Sequence, residues 1–193
     1  MTFPITEVVF LNLRSGANTD QSIYRLSEIL HRQPGFQNLR WGRWKESTDK
    51  IQLLIDWDDL VSHKAFEKCG ADFAALGELL GPILAAPPTM HHVPWSSTVI
   101  DTNIKDSVIK LVTFYVLSKS IGFKAFTGGR IPEELQFEES ETTVQAYFLA
   151  IAWKSVEHHI NAMKTKDVME SLPLIGGVTQ HIEMHHVTFV ESN

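Results

Sequence analysis

Ile55-Asp56-Trp57-Asp58-Asp59-Leu60-Val61-Ser62-His63 returns, altered but in register, as Ile151-Ala152-Trp153-Lys154-Ser155-Val156-Glu157-His158-His159. The tryptophans (57 and 153) and the closing histidines (63 and 159) share one offset, 96 residues. Downstream, Met90-His91-His92-Val93 recurs as Met184-His185-His186-Val187 at an offset of 94. Two matches in the same order at nearly equal offsets mark an internal duplication, the first thing to seek in any sequence. Asp59 and Ser155, both able to cap a helix N-terminus, occupy corresponding positions just after the tryptophans.

Working outward, each copy reads as strand, helix, strand, strand, helix, strand. In the first copy, residues 1–97, Val8 to Leu13 alternates as a strand with Val8, Phe10 and Asn12 on one face. Thr19 or Asp20 is expected to cap a helix running to about Arg32, with Ile23, Leu26, Ile29 and Leu30 on its apolar side, and Pro34-Gly35 stops it. A hairpin follows, Leu39 to Lys45 and Ile51 to Trp57, turning at Ser47-Thr48-Asp49. One further helix carries Ala65, Phe66, Cys69, Phe73 and Leu76 as its buried stripe, and Pro87-Pro88 leads into a strand ending at Val93.

The second copy, residues 104–193, opens on Val108 to Leu117, which reads as apolar on both strand faces and so requires cover on both sides. Ile160, Met163 and Val168 continue the helix after Ser155, and Gly176-Gly177 precedes the last strand. Ser118 to Pro132, with Gly122, Gly128 and Gly129, matches the first helix poorly, so one helical layer is expected to be reduced in this half.

Composition bounds the function. Of 193 residues, 44% are hydrophobic and 21% charged, ordinary values for a globular protein. No apolar run approaches the roughly 18 residues a membrane span requires, and the first residues carry no secretory pattern. The single cysteine, Cys69, excludes an intrachain disulfide and fits a reducing compartment, so the cytoplasm is expected. A net charge of −6 argues against nucleic acid as a partner. Arg40, Arg43 and Lys45 are followed at once by Glu46 and Asp49, which suits a mixed, solvated strand edge.

The order strand-helix-strand-strand-helix-strand is ferredoxin-like. Two such units, each with one bare apolar sheet face, bury both faces by packing sheet to sheet. The run Pro34-Gly35-Phe36, then Leu39-Arg40-Trp41-Gly42, then Trp57 with His63 and Phe66, resembles the antibiotic-biosynthesis-monooxygenase (ABM) branch of the dimeric α/β barrel superfamily. That resemblance implies an α+β fold in which two ferredoxin-like repeats form an intrachain dimeric α/β barrel. It also implies a monomer with an internal pseudo-dimer, able to pair further. The superfamily spans cofactor-free oxygenases on aromatic polyketides, haem-degrading enzymes, polyketide cyclases, lactone isomerases and members without known activity, so fold alone does not choose among them.

Nine histidines supply the candidate chemistry. His63, three residues before Phe66, and His159, four before Met163, project from apolar helix stripes toward the sheet, as a general acid or base over a pocket or as packed core histidines. His31, at the end of the first helix, reaches a pocket mouth or stays in solvent. Each strand pair, His91-His92 and His185-His186, sends one ring to each sheet face, so neighbours cannot chelate one metal together. With no helical His-x-x-x-His and no cysteine cluster, no metal site is expected, although one histidine would suffice for haem.

Asn12 and Arg14 end an apolar strand face and either reach solvent or bond a ligand. The ABM resemblance implies substrate contact at Asn12. Phe114 and Tyr115 take that place in the second copy, Tyr115 as an oxyanion donor or a packing residue. Trp41, Trp57, Phe66 and His92 complete the expected pocket walls, the large flat rings suiting a planar aromatic ligand, although a tryptophan such as Trp57 equally serves as core or as a structural hinge. No phosphate loop, dinucleotide fingerprint or nucleophile motif is present, so any chemistry is expected to need no cofactor. Three functions fit these residues: an isomerase or cyclase acting by acid–base catalysis on a small aromatic or polyketide-like phenol, a cofactor-free monooxygenase, or a non-catalytic ligand-binding or stress-related protein.

Overall fold

The computed structural model describes residues 3–94, 108–116, 129–136, 143–176 and 179–191. They fall into two units, unit 1 comprising residues 1–97 with 189–193 and unit 2 residues 98–188. Unit 1 runs β1 (Ile5–Asn12), α1 (Asp20–His31), β2 (Phe36–Arg43), β3 (Lys50–Trp57), α2 (Leu60–Glu67), α3 (Gly70–Leu80) and β4 (Thr89–Val93). Unit 2 runs β5 (Val108–Val116), β6 (Gly129–Arg130), β7 (Leu135–Gln136), β8 (Thr143–Trp153), α4 (Val156–Met163), α5 (Lys166–Gly176) and β9 (Thr179–Val187). A last strand, β10 (Val190–Glu191), returns to unit 1.

The sheets are antiparallel, ordered β10-β2-β3-β1-β4 and β6-β8-β5-β9, with β7 also on β8. Set β10 aside, and the first is the β2-β3-β1-β4 order of a ferredoxin-like unit. The second repeats it, with the short strands β6 and β7 standing for β2. Both units are therefore α+β and ferredoxin-like, and the duplication read from the tryptophans is a duplication of structure.

In unit 1, alternate residues along each strand build one core against the helices. Val9, Leu11, Leu53, Ile55 and Trp57 join Leu26, Leu30, Phe66 and Leu80 in a single buried cluster. On the opposite sheet face, beside the buried Val8, Leu54 and Val93, a group of buried polar side chains is paired. Arg40 donates to Asp56 at 2.6 Å, and the Thr6 hydroxyl donates to the same carboxylate at 2.6 Å. The expected solvated edge at Arg40 is thus corrected: the side chain is 1% exposed, because a carboxylate across the hairpin neutralises it.

Other expectations change as well. The second copy does not extend to 193, since Val190–Glu191 pairs with Arg40 and Trp41 and so covers the outer edge of β2. The single helix expected after Asp59 is two, because the Lys68 and Cys69 N–H groups donate back to Ala65 and Phe66 and close the last turn tightly. Cys69 is then the exposed residue preceding α3, not a core filler, and Ala65 is exposed with it. Thr19 precedes α1 but makes no capping bond, its hydroxyl accepting instead from Arg43 at 2.6 Å. Strand β5 is not wholly apolar, for Lys110 lies in it and is 6% exposed. The segment read as a reduced helix lies mainly outside the described residues, and its end, Gly129–Arg130, is strand β6. No helix among the described residues is long and apolar enough to cross a membrane.

Gly35 explains the Pro-Gly-Phe motif. Its φ is +82°, and a Cβ placed there would lie 2.5 Å from the Ser62 Cβ, beside the first turn of α2. The turn before β2 and the start of α2 can touch only through a residue without a side chain. Gly16 has a similar φ of +74° but open space around it. Gly16→Ala is expected to cost about 1–2 kcal/mol from backbone conformation alone. Gly35→Ala should cost roughly 1–3 kcal/mol more through overpacking, read as the difference between two urea denaturation curves.

Candidate active site

The site of unit 1 begins with a charge in the wrong place. Glu7 sits on the helix-facing side of β1 between Ile5 and Val9, and is 5% exposed. Its Oε2 accepts the Trp57 indole N–H at 3.1 Å and lies 3.2 Å from His63 Nε2. Its other oxygen takes no hydrogen bond from the described residues. On the far side of the His63 ring, Nδ1 is 2.9 Å from His92 Nε2. With His63 neutral, its Nε2–H points at the carboxylate and His92 Nε2–H donates to its Nδ1. The result is a buried row, Glu7–His63–His92.

Local structure aims each member. Asp59 Oδ1 accepts the Ser62 N–H at 2.8 Å and its hydroxyl at 2.9 Å, which fixes the first turn of α2 and so places His63 over the sheet. The Trp57 ring lies 5.3 Å from the His63 ring and stacks on Phe66 at 5.7 Å, closing the back of the row. Strand alternation sends His92 toward α2 and His91 to the opposite face, where its ring meets Phe10 at 5.3 Å.

Glu7 and His63 open on a cavity of about 470 Å³ between the sheet and α1 to α3. Its other walls are almost wholly apolar, among them Leu30, Leu53, Phe66, Phe73, Leu80 and Met90. The apolar lining lowers the effective dielectric around the carboxylate and so weakens the screening of its charge. Both His63 nitrogens are engaged within the row, which leaves neither to ligate an iron. Among the described residues no three histidine, cysteine or acidic side chains form a metal-binding group.

Of the residues singled out in the sequence, His63 and Phe66 line this cavity, and Trp57 and His92 stand behind it. Trp41 is half-buried against the same core without lining the cavity. His31 is exposed at the end of α1, bonded to the Ser27 carbonyl at 2.8 Å, away from the row. Asn12 falls on the strand face opposite Glu7, and Arg14 lies beyond the end of β1. Arg14 is exposed and donates to the Leu84 carbonyl at 2.9 Å. The side chains of Phe114 and Tyr115 lie outside the described residues. Glu7 itself escaped the sequence reading, which began the strand at Val8. An acid embedded in Ile5-Thr6-Glu7-Val8-Val9 was the available signal.

Unit 2 repeats the row with one sign reversed. Val108 pairs with Trp153 as Ile5 pairs with Trp57, so Lys110 stands where unit 1 has Glu7. Lys110 Nζ is 2.9 Å from His159 Nε2, and His159 Nδ1 is 2.8 Å from His186 Nε2. The lysine donates, so each hydrogen bond runs opposite to its counterpart. Burial above all, then the Lys110 charge and His186, push the His159 pKa down to about 4, while burial lowers that of Lys110.

An unfolded imidazole titrates near 6.5. Between about pH 6.5 and 4 the unfolded chain therefore binds a proton at His159 that the folded chain refuses. The contribution to stability is complete above 6.5 and is lost as the pH falls toward 4. NMR titration should find the His159 ring neutral at pH 5, and His159→Asn should flatten the acid limb of a plot of urea midpoint against pH.

No protein-family model matches this chain, and no curated protein matches its sequence. Solved structures do match its fold. An "anthrone oxidase-like protein" shares 11% identity at a TM-score of 0.67, covering 100% of this chain and 96% of its own. A "putative monooxygenase" from Fusobacterium nucleatum shares 8% at 0.59, with 97% and 93% covered. Another of that description, from Lactobacillus acidophilus, shares 12% at 0.56, with 99% and 97% covered. The correspondence spans both units in each case, and this chain shares the fold of these structures.

Proposed function

We propose that unit 1 is an acid–base enzyme, an isomerase or cyclase that acts without a cofactor on a small, largely apolar phenol or enolisable ketone. One observation carries the reading: a carboxylate with one oxygen anchored by Trp57 and His63 and the other unbonded, on the wall of an otherwise apolar cavity. The free oxygen of Glu7 takes a proton from a carbon beside a carbonyl. His63 and His92 hold the carboxyl in place and exchange protons along the row. Returned to a different atom of the same substrate, that proton completes an isomerisation or ring closure with no electrons exchanged. The apolar walls select a ring system of modest size and keep the carbanion from solvent.

A monooxygenase is the second reading, favoured by the name of the anthrone oxidase-like structure that matches the full chain. Here the deprotonated carbon reacts with O₂: a CH₂ group becomes a carbonyl, the two hydrogens leave with the second oxygen atom as water, and the substrate supplies every electron.

Anthrone serves as a probe for both. Hydrogen–deuterium exchange at its methylene, above the buffer rate and without oxygen uptake, is the expected result, and stoichiometric uptake with quinone formation transfers the chemistry to the oxygenase. Glu7→Gln preserves the side-chain volume and should lower the rate on the order of 10²–10⁴-fold. Binding without exchange, or an unchanged rate in Glu7→Gln, refutes base catalysis at this site.

A further inference from the structure

The reversed row of unit 2 leaves donors without an acceptor among the described residues. In unit 1 the Trp57 indole N–H is satisfied by the Glu7 carboxylate. In unit 2 the corresponding Trp153 Nε1 is buried and has no hydrogen-bond partner among the described residues. Its neighbour by register, Lys110, is an ammonium and can accept nothing. Lys110 is 6% exposed and its one partner among the described residues is His159, so no carboxylate there balances its charge. A buried cation and a buried indole N–H that both lack an anion make a costly arrangement.

We propose that unit 2 binds a small apolar monocarboxylate, whose carboxyl group sits between Lys110 and Trp153 and does for the Trp153 indole what Glu7 does for Trp57 in unit 1. A carboxylate supplies the missing acceptors together, one oxygen for the indole N–H and one for the ammonium. The organic part of the ligand would lie against the residues that share the Lys110 face. Val112 follows two positions on, Ile151 pairs with Lys110 across the sheet, and both belong to an apolar cluster with Leu149. Access differs between the units: the Trp57 side chain is wholly buried, whereas Trp153 is half-buried with its indole nitrogen shielded. The burial that lowers the Lys110 pKa is opposed by a seated anion, which favours the charged amine.

The test is an NMR titration of the full chain with sodium benzoate, against sodium chloride at equal ionic strength, following the indole N–H signal assigned through Trp153→Phe. A saturable downfield shift with benzoate and none with chloride is expected. Lys110→Glu rebuilds the carboxylate of unit 1, so the Trp153 signal should start downfield and no longer respond. Glu7→Gln should leave the response intact, which separates this site from the cavity of unit 1. The absence of a saturable shift in the unaltered protein, an equal shift with chloride, or a response that survives Lys110→Glu overturns the proposal. The benzoate and chloride comparison is decisive even if Lys110→Glu misfolds.

Discussion

Unit 1 depends on a hydrogen bond from an indole to a buried carboxylate. Trp57 closes β3 and is fully buried, and the one polar atom of its ring must find an acceptor. Glu7, diagonal to it on the helix-facing side of the sheet, is that acceptor. The carboxylate in turn needs a second donor and receives it from the first turn of α2. Strand, helix and closing strand are thus tied through one oxygen atom. The same atom is held where its twin is left to face the cavity, so the need for internal satisfaction and the capacity for chemistry arise together.

Duplication usually copies a site or erases it, and this chain does neither. The tryptophan and both imidazoles persist in unit 2, and only the charged end of the row changes. Exchanging a carboxylate for an ammonium keeps a hydrogen-bonded row of the same length but turns every donor around. A row that ends in an acceptor becomes a row that ends in a donor. Burial then works on different groups: in unit 2 it holds an imidazole neutral well below its ordinary range.

Much of this was legible in the sequence, for particular reasons. Trp57, His63 and the His91-His92 pair stood out because their counterparts lie at nearly constant offsets, and the strand and helix order followed from alternation and caps. The helix break at Cys69 did not show, because the apolar spacing from Phe66 to Phe73 suits one helix as well as two. Arg40 looked like part of a solvated run, since its partner Asp56 lies in the other arm of the hairpin. Glu7 and Lys110 were the costliest omissions. Each is a single charge within an apolar strand, and strand periodicity weighs such a residue as an interruption when it is the reason for the site.

The short strand β10 has a consequence for how the chain is made. Val190–Glu191 completes the sheet of unit 1, yet those residues follow all of unit 2 in the sequence. As the polypeptide leaves the ribosome, the first half waits with a raw flank at β2 until the second half has been synthesised. Cleavage at the junction between the repeats would leave that last-born edge attached by the chain to the second half alone, held to the first only by its pairing with β2.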